Sequence, residues 1–493
     1  MTKTFYITTA IDYVNSRPHV GHAYEKVLAD AIARWNRLNK KDVFFLTGVD
    51  ENAQKNVQAA EKAGIPVKEF IDKNAELFIE LCKKLNLSHD DFIRTTAKEH
   101  TIVVQRIVKK IIEKGDIYKA KYEGLYCVGC ETYYTENELI DGKCPEHNKI
   151  PELRKEDAYF FKLSKYKKEL QKLIPQYVTP ESKAHEVLNR VNGELNDICI
   201  SRHKANWGID FPNDKKFKVW VWIDALINYI SGLKDKEEVY WPAQLHVVGK
   251  GINWFHSVIW PAMLISADYK LPEKLLVHGY LTTEGKKMSK SLGNVIDPLE
   301  LLNKYHADSV RYSLLRCNVF DDSDFSEDII IERHNNELAN KLGNLVSRVS
   351  TLAEKYGIEK TKSNLEIDKT LKEVKEHFNN YELHKVLEVI FHYIDKTNEY
   401  IQEKKPWEVH SPQREAPQQS EEAHSKSKSN SRKVLYELSV AIKNATILLS
   451  PFIPSTAERI AKTFNFKISL DDLEKPLDVK SKINKSEILF QKI

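Results

Sequence analysis

Apolar positions follow two periods along this chain, and the changes of period mark its organisation. Lys3 to Thr9 is rich in β-forming residues, and Val43 to Thr47 (VFFLT) is a short apolar run closed by Gly48. Both read as strands, the second as a buried parallel one. Between them Val27, Ala29, Ile32 and Trp35 recur at helical spacing, which predicts a helix from about His22 to Asn36. Helical patterns dominate from Asn52 to Gly115, whereas residues 117 to about 207 read as irregular and highly charged. Apolar strand runs return at Lys218 to Ile223, His246 to Gly249 and Leu275 to His278. Strands alternating with helices predict an open parallel sheet, here interrupted by an insertion. Ligands of such sheets bind at the carboxyl ends of the strands, where His19, Asp50, Gly249 and Gly279 stand. From about Ile331 the period is helical, with Leu338, Leu342, Leu345 and Val349 on one face. Ser411 to Lys433 has almost no apolar residues and predicts a mobile loop between helices. Helical spacing resumes at Val434 and runs to about Leu449.

Composition narrows the class without choosing a chemistry. A chain of 493 residues implies roughly two to four domains. Charged residues at 30% and hydrophobic residues at 42% suit a soluble protein. A formal net charge of +4 is too small to announce a nucleic-acid binder, so any RNA contact has to use local basic patches. No apolar run is long enough to span a bilayer and the N-terminus lacks a signal-like core, so a cytoplasmic location is expected. Three of the six cysteines cluster, which in a reducing compartment favours a metal over disulfides.

The candidate chemistry begins with two short segments. His19-Val20-Gly21-His22 puts two imidazoles around a glycine just after Pro18, and Lys287-Met288-Ser289-Lys290-Ser291 puts two lysines on a polar loop. Adenylyl transfer from ATP must stabilise charge on crowded phosphates. Lysines supply point charge, imidazoles supply hydrogen bonds, and the glycine admits close approach to the backbone. The following helix aims its positive end at the same phosphates. Cys127-x-x-Cys130 with Cys144-x-x-His147 has the spacing of a closed tetrahedral zinc site, one structural ion per chain; the bland reading is incidental cysteines in two loops. Asp50 is a candidate for an amino-acid ammonium or for a helix N-cap. Trp222, Asp224, Ala225, Tyr229, Phe255, His256 and Tyr13 offer aromatic walls for a flexible apolar side chain, with ordinary core packing as the alternative. Trp407, beside Lys404, Lys405 and Pro406, suits base stacking or the closing of a helix junction.

The two signatures, in this order, resemble those of class I aminoacyl-tRNA synthetases. The stretches ITTAIDYVNSRPHVGHAY, FFLTGVDEN, GLYCVGC with KCPEH, VWVWIDALINYIS, WFHSVIWPAML, HGYLTTEGKKMSKSLGN and NEYIQEKKPWEV resemble the methionyl-tRNA synthetases of bacteria in their short, single-zinc form. That resemblance implies a ligase that makes methionyl-adenylate from methionine and ATP with Mg2+, and charges tRNA(Met), initiator included. It implies a Rossmann-type α/β catalytic domain in residues 1–116 and 208–265, with a zinc-knuckle insertion at 117–207. The signature loop and connecting region fall at 266–330, and an all-α anticodon-binding bundle at 331–493. His19, Gly21, His22, Gly249, Lys250, Lys287, Ser289 and Lys290 are the implied ATP contacts, with His19, His22, Lys287 and Lys290 catalytic. Ile11, Tyr13, Asp50, Trp222, Ala225, Tyr229, Phe255 and His256 are the implied methionine pocket, with Arg202 as ion partner of Asp50. Asn344, Arg348 and Trp407 are the implied anticodon readers. A monomer is expected, because the C-terminal module of longer members does not follow Ile493.

The chain departs from the family pattern at two places. Gly249-Lys250-Gly251 stands where the family has Gly-Lys-Asp, and Asp50-Glu51-Asn52-Ala53 where it has Asp-Glu-His-Gly. Restoring a carboxylate by Gly251→Asp is therefore expected to tighten ATP by roughly 0.5–1.5 kcal/mol. A synthetase for cysteine is the alternative within the fold, and a catalytically weakened tRNA-binding protein the alternative outside it.

Overall fold

A computed structural model describes residues 3–493 except 129–131, 135, 147, 204, 289–293, 409–420 and 474; the side chains of 122, 123, 132, 137, 154–156, 287 and 421–424 are also left aside. The chain forms two compact units: Met1–Ala29 with Lys41–Tyr280, and Asp30–Lys40 with Leu281–Ile493.

Six parallel strands carry the first unit. β1 (Thr4–Tyr13), β2 (Asp42–Asp50) and β3 (Asp91–Arg94) lie in the order β3-β2-β1. Beyond β1 follow Leu245–Gly249, Leu275–His278 and Val178–Thr179. The strand order reverses at β1, so the crevice between β1 and Leu245–Gly249 is the place where such a sheet receives ligands. Every residue of β2 from Val43 to Asp50 is buried, as expected of a strand covered on both faces. A register shift between Thr8 and Ile11 bends the end of β1 and brings Tyr13 opposite Asp50.

Three expectations fail in this unit. The stretch from 117 is not irregular: Ile117–Cys127 and Glu152–Phe161 pair antiparallel over ten residues. Its alternation of Tyr118, Ala120, Tyr122, Gly124 and Tyr126 with charged residues is the period of a strand, hidden by the charge. The insertion also yields to the main sheet before residue 207, because Val178–Thr179 joins that sheet and Leu170, Ile174 and Tyr177 enter its core. Finally, the run Lys218–Ile223 is a strand only over Phe217–Val219, paired antiparallel with Ser201–His203. From Val221 to Ser231 it is a helix buried on every side, which an apolar run cannot distinguish from a buried strand.

The second unit is helical, with one small sheet. Leu281–Thr283 pairs with Lys286–Lys287 through a turn at Glu284–Gly285, and with Ser323–Asp324 on its other side. Asp324 ties the hairpin by accepting from the Thr282 hydroxyl and from Gly285 N–H. Leu338, Leu342, Leu345 and Val349 are all buried, as their spacing predicts. The expected loop Ser411–Lys433 is corrected in part. Residues 411–420 lie outside the described residues, but Glu421–Leu449 is one helix. Its polar first half is held by polar contacts where an apolar stripe is lacking. Ser431 Oγ donates to the Pro406 carbonyl at 2.7 Å, and Ser429 and Arg432 engage Glu359. Among the described residues no helix is long and apolar enough to cross a membrane.

Candidate active site

β1 ends at Tyr13, and α1 (Val20–Leu38) opens just after His19. In this turn the two imidazoles stack, their centroids 3.6 Å apart. Their nitrogens are assigned by their neighbours. His22 Nδ1 accepts the His19 N–H at 3.1 Å, and His19 Nδ1 accepts the Gly21 N–H at 3.1 Å. In the neutral rings the proton therefore sits on Nε2 in both, giving two N–H donors side by side. Gly21 is glycine for a local reason: a Cβ there would lie 2.9 Å from His19 Cε1 and 3.0 Å from Nδ1. The sequence suggests that this glycine admits a ligand; the geometry shows that it admits the His19 ring.

The neutral state of His22 is enforced. Burial, then Lys26 and Lys55, lower its pKa from the usual 6.5 to about 3. Lys26 is fully buried, yet its pKa is raised, because Asp12 at 2.6 Å, helped by Cys82 and Glu25, outweighs the opposing effect of burial. One position earlier, Glu25 accepts from Ala10 N–H at 2.8 Å and Gly249 N–H at 3.1 Å and meets His278 Nε2 at 3.1 Å. It thus clamps three neighbouring strands at the crevice. Sequence reasoning missed Asp12, Glu25 and Lys26; the available signal was three charges within a strand and helix that must otherwise be buried.

The aromatic residues come together. Trp222 stacks on Phe255 at 3.6 Å and meets Tyr13 and His256 edge-on at 6.4 and 6.5 Å. Trp222, Ala225 and Tyr229 share one face of the Val221–Ser231 helix by their three- and four-residue spacing. Tyr229 Oη is 2.7 Å from His256 Nε2, and His256 Nδ1 is 3.0 Å from the Ile252 carbonyl. A carbonyl only accepts, so Nδ1 holds the proton and Nε2 takes the tyrosine's. Burial lowers the His256 pKa to about 4, against the opposing effect of Ile252 and Glu25. Ile11 is partly buried and packs against the neighbouring apolar cluster that contains Tyr6, Phe44, Leu46 and Ile93.

Asp50 is almost fully buried and its carboxylate accepts the Asn52 N–H at 3.1 Å. It is not a helix cap, because the next helix opens at Gln54 with Ala53 before it. The departure at Asn52 is absorbed. Its amide reaches the Thr95 carbonyl at 3.1 Å and Asp224 at 2.7 Å. Asp224 continues to His100 at 2.5 Å, and His100 to Ser231 at 2.6 Å, all buried. Glu51 is held by Arg94 and Thr96. Arg202 lies against Tyr126, Cys199 and the Ser201 carbonyl, and its cation faces the Tyr126, Tyr133 and Trp220 rings.

The departure at Gly251 is different. A Cβ there would fall 1.9 Å from Tyr280 Oη. A carboxylate enters only by displacing that side chain, so the simple gain expected from Gly251→Asp does not follow.

Four residues of the implied sites, Cys130, His147, Ser289 and Lys290, lie outside the described residues, as does the Lys287 side chain. Cys127 and Cys144 are both buried. In the helical unit Asn344 and Arg348 lie one turn apart, Asn344 exposed, and the Arg348 guanidinium sits 5.0 Å from the Trp407 ring centroid.

A parallel sheet with stacked imidazoles at its crevice is consistent with a class I tRNA synthetase, and the model of that class, "tRNA synthetases class I (M)", matches residues 5–149 and 146–350 and shows it. The anticodon-binding domain of tRNA ligases matches residues 364–492. Within the class, the chain belongs to the methionyl-tRNA synthetase family. It is 41% identical to the methionine–tRNA ligase of Caldanaerobacter subterraneus subsp. tengcongensis, over 100% of this chain and 79% of that one. It is 40% identical to that of Thermotoga maritima, over 99% and 80%. The Mycobacterium tuberculosis methionyl-tRNA synthetase in complex with methionyl-adenylate superposes with a TM-score of 0.93 at 35% identity, over 99% of this chain and 100% of that one.

The buried imidazoles set a pH dependence of stability. His22 and His256 titrate near 3 and 4 when folded and near 6.5 when unfolded, and burial with His256 holds His246 well below 6.5. Between pH 6.5 and about 4 the unfolded chain binds protons that the folded chain refuses. Stability is therefore complete above pH 6.5 and falls on acidification, each ring adding a slope of up to about 1.4 kcal/mol per pH unit. Thermal unfolding should show a melting temperature that drops steadily from pH 6.5 to 4.5. A flat profile over that range contradicts the neutral, buried assignment.

Proposed function

We propose that this chain activates methionine with ATP and charges tRNA(Met). A methionine carboxylate oxygen attacks the α-phosphorus of ATP. The bond to the bridging oxygen of the β-phosphate breaks, and diphosphate leaves with the electron pair. A hydroxyl of the terminal adenosine of the tRNA then attacks the acyl carbon and AMP departs. Neither step needs a covalent enzyme intermediate, so catalysis is positioning plus stabilisation of charge. The observation that carries this reading is the stacked His19–His22 pair, whose Nδ1 atoms both accept backbone N–H groups and leave each Nε2 as a donor, at the carboxyl end of β1 beside the N-terminus of α1. In this proposal Lys287 and Lys290 add positive charge at the phosphates and Mg2+ accompanies ATP. Asp50 takes the methionine ammonium, and the Tyr13, Trp222, Tyr229, Phe255 and His256 group takes the thioether side chain, for which aromatic edges are favourable. Charging of purified tRNA(Met) with methionine tests the reading. Failure to charge at any enzyme concentration, with ATP and Mg2+ present, would refute it.

We also propose one structural zinc per chain, held by Cys127, Cys130, Cys144 and His147. Its support is that Cys127 and Cys144 are buried thiols, one at a strand end and one in a tight turn closed by Cys144 N–H to the Lys149 carbonyl at 2.9 Å. Zinc would supply fold energy there and no catalytic water. Metal analysis should find about one equivalent, and Cys144→Ser should lower it and raise proteolysis between residues 117 and 150. Full zinc content in Cys144→Ser counts against this ligand set.

A further inference from the structure

We propose that His100 and Asp224 are positioning residues for the amino-acid substrate: through Asn52 they hold the Asp50 carboxylate in fixed relation to the helix that carries the aromatic group. The proposal rests on the reading above, in which Asp50 takes the methionine ammonium, and names what keeps the two ends of that site together.

The segment that leaves β2 is tied down residue by residue. Asn56 donates to the Asp50 carbonyl at 3.0 Å, and Glu51 N–H to the Thr95 hydroxyl at 2.9 Å. Asn52 N–H donates to the Asp50 carboxylate at 3.1 Å, so the carboxylate is steadied by whatever holds residue 52. Residue 52 is held by its own amide, which donates to the Thr95 carbonyl at 3.1 Å and to Asp224 at 2.7 Å. Asp224 belongs to the Val221–Ser231 helix, next to Ala225. One hydrogen bond thus joins the carboxylate end of the site to the helix of its aromatic end.

His100 fixes that helix from behind. It stands in the first turn of the helix Lys98–Glu113. Its Nε2 is 2.5 Å from Asp224, and its Nδ1 is 2.6 Å from Ser231 Oγ. A carboxylate only accepts, so the ring donates from Nε2. Asp224 and Ser231 lie two turns apart on one face, whereas Trp222, Ala225 and Tyr229 lie on the opposite face. The ring therefore pins the helix at two points while the other face stays with the aromatic group. His100, Asp224, Ser231 and Thr95 are all buried. Packed apolar side chains would stabilise this position at least as well as a buried carboxylate and imidazole, so the network serves geometry rather than stability.

The test compares two alcohols that differ only in the amino group, L-methioninol and 4-(methylsulfanyl)butan-1-ol, each titrated directly into the wild type and three variants. The wild type should bind methioninol roughly tenfold or more tightly than the deamino alcohol, since a site built to pair a polar group rejects the analogue lacking it. Asn52→Ala and His100→Ala should each cut that advantage about three- to tenfold, weakening methioninol while leaving the deamino alcohol within about twofold. The KM for methionine in exchange should rise in parallel. His100→Gln, whose amide nitrogen takes the place of Nε2, should restore the advantage. Thermal unfolding accompanies each variant. A folded Asn52→Ala that keeps the full methioninol advantage overturns the proposal. So do variants that weaken both alcohols alike, and so does a folded His100→Gln that recovers nothing of what His100→Ala loses. Should His100→Ala fail to fold, Asn52→Ala decides alone. If the wild type binds the two alcohols equally, the assignment of the ammonium to Asp50 falls instead, and this result is distinct from the others.

Discussion

His22→Ala should form methionyl-adenylate about a hundred- to a thousandfold more slowly than the wild type, with little change in the KM for methionine. Removing one preorganised donor aimed at developing charge has that order of effect. The ring is a donor by construction. Its Nδ1 is committed to the His19 N–H, and burial with Lys26 and Lys55 keeps it neutral down to about pH 3. The methionine group of Tyr13, Trp222, Phe255 and His256 makes its own contacts, so its affinity should persist. His22→Gln, which keeps an N–H donor on a longer arm, should recover part of the rate. The His22–His19 stack is lost in the alanine variant, so thermal unfolding must accompany the kinetics. A properly folded His22→Ala that retains activity within threefold would remove His22 from the chemistry.

Trp407→Ala should weaken tRNA charging roughly tenfold to a hundredfold while leaving exchange with methionine and ATP unchanged. A base stacked on an indole is worth on the order of 1–3 kcal/mol. Trp407 is half-buried and carries Arg348 at 5.0 Å from its ring centroid, with Asn344 exposed one turn earlier. An aromatic plane, a planar cation and an amide are the side chains that read unpaired bases by stacking and by their edges. The competing role is packing, since the adjoining Pro406 carbonyl is anchored by Ser431. Loss of both activities together with a lower melting temperature would assign Trp407 to packing. Loss of charging alone assigns it to the tRNA.

The parts of the fold written in simple periods were legible in the sequence. β1, α1, β2 and the Leu338–Val349 face all follow from spacing, because each buries its apolar residues in a core. The failures share a cause: a local pattern with two structural solutions. Val221 to Ile223 is apolar enough for either a buried strand or a buried helix, and tertiary packing chose the helix. The Ile117–Cys127 strand was disguised by the charged residues Lys119, Lys121 and Glu123 that alternate along it. The helix from Glu421 has no apolar stripe over its first half and is held by serine and arginine contacts that no period encodes. At the site, residue types in motifs were legible and their partners were not. His19 and His22 could be named, but Lys26 beneath them, balanced by Asp12, depends on a contact across the unit's core. Gly251 looked like a lost carboxylate because its occupant, Tyr280, comes from the neighbouring strand.

The central claim is that this site activates methionine in particular. Exchange of labelled diphosphate into ATP, measured with each of the twenty amino acids in turn and without tRNA, tests it most directly. The account predicts robust exchange with methionine and at most trace exchange with cysteine, leucine or isoleucine. Exchange driven best by another amino acid, or by none, would contradict it.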